Sequence, residues 1–361
     1  MTKLRNDPLT KLVIVLMVVL LFPLVARADS GTPLVWAGLL HLFIGNAFIG
    51  LLEGFLLVKL FKASSSKCLL TMVGANYFSS WVGGFFIQFV SFQIPWNLYN
   101  GWSWFWILVV LTYLLTLVLE WPFVFLCFRR TPGALERSLQ GDVVVNTISY
   151  IILFGWYWLA SDAGLYRQMH IVQPSHMTMP NAGVYYIAST NGQVNALDLQ
   201  TQSTVKFLKL DQAVGSLRLV IRPAEFNPAN WDVVEEYAYT NILIASNLAL
   251  VASEDWRDPN LSHRWYRVHQ IGMAAESKWT FETGSEPGEG LTGRNAETGK
   301  HFDLSMDAPF LSWTIQNGSH LPGDNVIFQL GDDQICLLET STKKISLLCR
   351  GWSPVVLLKK Q

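Results

Sequence analysis

The sequence predicts a membrane α-helical bundle, four transmembrane helices after a signal peptide, joined to a C-terminal all-β domain. Three observations carry this reading. Apolar runs of membrane length fill the chain between about Leu34 and Leu159. Lys and Arg occupy alternate loops between those runs, and the intervening segments carry none, which sets an orientation by the positive-inside rule. From Gly164 the pattern changes to short alternating strands and turn clusters. Charged residues make up only 15% of the chain, against roughly 25% in an ordinary soluble domain. A net charge of −1 and the lack of a basic patch with interleaved aromatics argue against a nucleic-acid partner.

The first element reads as a signal peptide over 1–28. Lys3, Arg5 and Lys11 form a basic region, Leu12 to Val25 an apolar one, and Ala26-Arg27-Ala28 a small-x-small cleavage site. An uncleaved first helix is the alternative, and it leaves the remaining orientation unchanged. The helical domain covers 29–163. Its first span runs from about Leu34 to Phe61 and ends among Lys59, Lys62 and Lys67. The second, Cys68 to about Phe92, leads into the uncharged segment Gln93 to Gly101. The third, about Trp102 to Phe128, ends at Arg129 and Arg130. Thr131-Pro132-Gly133 then breaks the chain, and Arg137 precedes a fourth span from about Gly141 to Leu159. Roughly 20 apolar residues cover a hydrocarbon core, so each span is long enough to cross. The lipid bilayer is therefore the first expected partner. Trp36, Trp81, Trp96, Trp102, Trp104, Trp121, Trp156 and Trp158 sit where aromatic belts would lie. The basic loops are expected in the cytoplasm and everything after Ser161 outside.

Polar residues inside the spans are the candidate site. Glu53 lies nine residues before Lys62, Asn76 nine after Lys67, Glu120 nine before Arg129 and Asn146 nine after Arg137. At 1.5 Å per residue all four lie about 13 Å from one edge. One carboxylate or amide per helix at one depth predicts a shared polar layer. His41, Asn46 and Asp142 are further costly residues in the spans. Helical phase places Asn46, Gly50 and Glu53 on one face, Asn76, Ser80 and Gly83 on the next, and Thr112, Thr116 and Glu120 on the third. Two roles compete. The carboxylates bind a cation or relay a proton, or the layer only hydrogen-bonds the bundle together, and the second is the favoured expectation. His41 points away from Glu53 and reads as an interface residue.

In the third domain, 164–361, two segments share a pattern. Residues 184–208 read VYYIASTNGQVNALDLQTQSTVKFL and 325–348 read NVIFQLGDDQICLLETSTKKISLL. Each is strand, tight turn, strand, polar turn, strand. The pattern resembles blades of a β-propeller over about 50 residues. That resemblance implies a propeller-like domain of about four blades. Arg222 to Trp231 and Gly284 to Lys300 read as long loops that depart from it, so a sandwich is the alternative.

Cys336 and Cys349 flank the hairpin centred between Thr342 and Lys343. A symmetric turn would place them opposite each other, with Cα atoms about 4.5–5.5 Å apart, within disulfide range. Cys68 and Cys127 fall at span ends.

Catalytic and metal motifs are lacking. Gly293 to Lys300 has five residues between its glycines and His301 in place of Ser or Thr, so it is no phosphate loop. His170 and His176, like His263 and His269, are six residues apart, a poor ligand spacing. No metal and no cofactor is expected. The leading expectation is a non-enzymatic, membrane-anchored binding or scaffold protein of a bacterial-type inner membrane. It would be an accessory or assembly subunit of an envelope or membrane complex, meeting a protein partner through its extracytoplasmic domain (periplasmic in a Gram-negative cell). The alternative is a channel, transporter subunit or intramembrane enzyme using Glu53 and Glu120. Oligomeric state is left open.

Overall fold

The computed structural model describes residues 32–63, 65–209, 218–237, 240–258, 266–272, 277–284 and 289–359. The expected signal peptide and its cleavage site after Ala28 lie outside the described residues, as do His263 and 285–288. The described residues form two compact units, one helical and one β-rich.

In the helical unit three helices are long and apolar enough to cross a membrane: α1 (Pro33–Phe61), α3 (Gly101–Phe128) and α4 (Ala134–Ala160). Between them lies α2 (Ser65–Phe92), which has 28 residues like α3. Asn76, Tyr77, Ser79 and Ser80 make the middle of α2 less apolar than its neighbours. Thr32 caps α1 by accepting the Val35 N–H at 3.4 Å, and Pro33 occupies the first turn, where its missing N–H costs nothing. One π-helical turn, His41–Gly45, interrupts α1. The helix ends at Lys62 in the left-handed region, φ 57°. Gly133, φ +67°, makes the corresponding turn into α4, a conformation that costs glycine least.

The helical unit is inside out relative to a water-soluble bundle. Leu70, Phe85, Phe89, Val118 and Ile151 are exposed, whereas Asn46, Glu53, Asn76, Glu120, Asp142 and Asn146 are buried. Apolar groups outside and hydrogen-bonded polar groups inside is the arrangement an apolar solvent favours. The basic residues of 32–162, Lys59, Lys62, Lys67, Arg129, Arg130 and Arg137, are all exposed at helix ends.

In the β unit a curled sheet dominates. Its strands include β2 (Ala182–Ala188), β3 (Gln193–Asp198), β4 (Thr204–Lys209), β9 (Val268–Gln270), β15 (Ile315–Leu321), β16 (Asn325–Leu330), β17 (Gln334–Glu339) and β18 (Lys344–Lys359), in the order β4-β3-β2-β18-β17-β16-β15-β9. The two similar segments are thus the meanders β2-β3-β4 and β16-β17-β18. They do not stand as separate blades: β18 pairs antiparallel with β2, Val356 opposite Val184, and fuses them into one sheet. Propeller blades would each be a sheet of their own.

Alternation along the strands buries both faces at the centre. Tyr185, Ile187, Val355 and Leu357 enter one cluster with Leu219, Ile221, Trp231 and Val233. Val184, Tyr186 and Val356 point the other way, to Ile271, Ile327, Ile335 and Leu337. This is the period of two expected of a strand. The first cluster is completed by a separate three-stranded sheet of β5 (Arg218–Pro223), β6 (Trp231–Tyr237) and β7 (Thr240–Leu248).

Two expected long loops are shorter than the sequence suggested. Residues 224–230 are a turn joining β5 to β6, with Pro223 opposite Trp231. Within Gly284 to Lys300 lies β11 (Leu291–Asn295), which pairs with β10 (Trp279–Thr283) and β12 (His301–Asp303). Asn295 Oδ1 accepts the N–H groups of Glu297 and Thr298 at 3.0 and 2.8 Å, so the glycine-flanked segment is a hairpin turn.

The cysteine register also differs from expectation. The last hairpin pairs Glu339 with Lys344 and Cys336 with Leu347, then shifts by a bulge so that Ile335 faces Cys349. The turn is centred between Ser341 and Thr342, one residue before the expected centre, so Cys336 already faces Leu347; the bulge then adds a residue to β18 and leaves Cys349 one position out of opposition to Cys336. Both are free thiols, Cys336 buried and Cys349 partly so. Burial pushes the Cys349 thiol up to about 12 and the Cys336 thiol higher still.

Candidate functional site

The polar cluster of the helical unit is built on close helix approach. A Cβ on Gly50 would stand 2.5 Å from Val73 Cα, and one on Gly54 2.9 Å from Leu69 Cα. These glycines bring α1 against α2, with Glu53 between them in sequence. Small residues at a helix interface let polar groups reach across it.

Glu53 and Glu120 are each 1% exposed. Glu53 Oε2 accepts from Asn76 Nδ2 at 2.5 Å and Oε1 from Ser149 Oγ at 2.6 Å, so α2 and α4 both donate to α1. Glu120 Oε1 accepts from Ser79 Oγ at 2.5 Å. Asn146 Nδ2 donates to Asp142 Oδ1 and to the Asp142 carbonyl, both at 3.1 Å. Glu53, Glu120 and Asp142 are electrostatic neighbours. Two buried acceptors, Glu120 Oε2 and Asn146 Oδ1, have no hydrogen-bond partner.

Toward the opposite end, Ser80 Oγ donates to Asn46 Oδ1 at 2.7 Å, and His41 Nδ1 lies 2.8 Å from Tyr157 Oη. Between α3 and α4, Tyr150 Oη meets Thr116 Oγ1 at 2.6 Å and donates to the Thr112 carbonyl at 3.1 Å.

Of the four residues read from sequence, Glu53 and Asn76 are bonded directly, while Glu120 and Asn146 bond to other partners. Ser79, Asp142 and Ser149 complete the network. The signal for the serines was present: Ser79 follows Asn76 by three residues and Ser149 follows Asn146 by three, the spacing that puts two side chains on one helix face.

In the β unit the sheet ends in β4, which among the described residues pairs with β3 alone. Val205, Phe207 and Leu208 on it are 57%, 38% and 46% exposed. Two histidines are buried on the other side of the sheet's path. His269 stacks on Trp256 at 4.6 Å with Nδ1 3.5 Å from Asp255 Oδ2, and desolvation lowers it to about 4. His320 lies edge-on to Phe281 at 4.6 Å, with Nε2 3.4 Å from Asp324 Oδ1, and burial lowers it too. Among the described residues no group of three or more His, Cys, Asp or Glu is placed to hold a metal ion.

No protein-family model, curated protein or solved structure matches the chain.

Proposed function

We propose that this chain is a multi-pass protein of a bacterial-type inner membrane, with four membrane-crossing helices after a signal peptide, and that its β unit is an extracytoplasmic, non-enzymatic docking platform for another protein of the membrane or envelope. The inside-out helical unit supports the membrane half of this reading. The alternation of basic and uncharged loops supports the orientation. α2 counts as the fourth span because its polar residues face partners within the bundle.

The single observation that carries the docking half is β4. An outer strand offers unpaired backbone groups, and Val205, Phe207 and Leu208 add exposed apolar area beside them. A free edge with apolar side chains is what strand-addition partners recognise. Lys206, between Val205 and Phe207, is a charge of the kind that discourages edges from pairing with themselves.

The test is purification from native membranes in mild detergent, with mass spectrometry of what stays attached. A stoichiometric partner is expected with the wild-type chain. It should be lost from Val205→Lys/Leu208→Lys, whose β-sheet circular dichroism stays unchanged. Recovery of the chain alone, even after crosslinking, would count against the platform.

A second reading, a channel, transporter subunit or intramembrane enzyme, is favoured by one observation, the unpartnered buried Glu120 Oε2. It expects Glu53→Gln and Glu120→Gln to abolish flux or turnover in reconstituted protein that remains folded.

A further inference from the structure

We propose that β4 takes its partner in one orientation: an extended segment running parallel to β4, in the register that β1 (His170–Ile171) takes on β18, with an acidic residue opposite Lys206. The inference rests on the docking reading above and gives the partner's segment its direction and its chemistry.

The two meanders share more than a pattern. Leu197 faces Thr204, Asn195 faces Lys206, and a bulge then brings Gln193 opposite Lys209. Leu338 faces Ile345, Cys336 faces Leu347, and a bulge then brings Gln334 opposite Arg350. The connecting turns match as well. Gln202, two residues before Thr204, and Lys343, two before Ile345, both have φ 54°. Thr204 therefore stands in β4 where Ile345 stands in β18.

In β18 this stretch is paired on both sides. β17 pairs with one edge of Lys344 and Ile345, and β1 pairs in parallel with the other. The His170 and Val172 N–H groups donate to the Lys343 and Ile345 carbonyls at 2.7 and 2.9 Å. The corresponding acceptors on β4 are the carbonyls of Gln202 and Thr204. The Ser203 carbonyl between them accepts from the Asp198 N–H at 2.9 Å and so is turned toward β3. Alternation turns its neighbours to the outer edge. Among the described residues no strand pairs with that edge, and Thr204 to Leu208 are all exposed. One meander thus carries the added strand that the other is shaped to receive.

The register also sets the side chains. β1 places Ile171 beside Ile345. A segment placed alike on β4 puts one residue beside Thr204 and the next three beside Val205, Lys206 and Phe207. Paired residues share a face of the sheet. The segment therefore needs apolar residues at its second and fourth places, to cover Val205 and Phe207, and an acid at its third. A second copy of β4 in the same parallel register would set Lys206 against its own copy, which is destabilising.

The probe is a synthetic peptide, benzoylbenzoyl-His-Ile-Val-Glu-Val-amide, added at millimolar concentration to the full chain in detergent and photocrosslinked. Crosslinks mapped by mass spectrometry should fall near Gln202 and Ser203, at the start of β4. Replacing the peptide's Glu by Lys should weaken crosslinking about fivefold, and Lys206→Glu should reverse that preference, which a loss of fold would not do. Methylating the backbone nitrogen of the peptide's His or first Val should abolish binding, and methylating that of its Ile should not. Crosslinks near Lys209, the mark of antiparallel addition, would overturn the inference, as would a charge preference that Lys206→Glu leaves unchanged. Absence of any crosslink to β4 would overturn it too, while a partner recovered from native membranes would leave the docking reading standing. A chain that is dimeric in detergent and monomeric as Val205→Lys/Leu208→Lys would put a second copy on β4 and overturn the inference.

Discussion

Asn76 Nδ2 donates to Glu53 Oε2 across 2.5 Å, joining α2 to α1 at a point where Gly50 and Gly54 hold the two backbones close. The bond exists because the glycines shorten the gap. With larger residues there, the short Asn side chain would not reach. The same Asn76 also donates to the Met72 carbonyl at 3.1 Å, which holds its amide in the bonding rotamer.

Asn76→Ala is expected to lower unfolding stability in detergent by about 1–3 kcal/mol, the cost of leaving a buried acceptor unpaired. A double-mutant cycle with Glu53→Gln should return a coupling of about 1 kcal/mol, the scale found for interhelical hydrogen bonds in membranes. A cycle closing at zero would show that the two side chains act independently.

Gly50→Ala should be worse tolerated than its size suggests. The added carbon would meet Val73 Cα at 2.5 Å and the Met72 carbonyl oxygen at 2.7 Å, and backbone cannot rotate away as a side chain can. The expected loss is about 1–3 kcal/mol, as for overpacking. Gly74, with nothing within 4 Å of its Cβ position, is the control: Gly74→Ala should leave the melting temperature unchanged or raise it.

The β unit should lose stability on mild acidification. His269 is buried and held near 4, against 6.5 when free. The unfolded chain therefore binds a proton that the folded chain refuses. Stability is full above about 6.5, falls as pH drops from there toward about 4, and then levels off with respect to this group. The loss is roughly 3 kcal/mol over that window. His269→Gln, which cannot titrate, should flatten this limb in thermal unfolding followed by near-ultraviolet circular dichroism. His320 contributes in the same direction, so a residual slope should disappear with His320→Gln.

Cys336 and Cys349 should resist alkylation in the folded chain. Burial keeps both thiols protonated, and the thiolate is the reacting form. Iodoacetamide should add to both only after unfolding, read without prior reduction by mass spectrometry of the peptides that carry Cys336 and Cys349, which separates them from Cys68 and Cys127. An unreduced chain that takes up neither label when unfolded would show that the two are bridged.

The sequence by itself determined the helices, the strand-rich remainder and the cost of its buried acids. These are properties of composition and periodicity: an apolar run of membrane length is visible residue by residue, and a carboxylate within it is conspicuous. It also located Glu53 and Asn76, because both count the same distance from a basic flank. Tertiary structure alone decided the partners. Ser149 and Glu53 are far apart in the chain, and which serine of Ser79-Ser80 turns to Glu120 depends on helix rotation, which a count along one helix does not contain. The same holds in the β unit. Two similar meanders are legible as local patterns, but their fusion through Val184 and Val356 into one sheet is a long-range pairing. The cysteine register shows the point on a smaller scale, since the hairpin turns one residue before its expected centre and so sets Cys336 opposite Leu347 rather than Cys349.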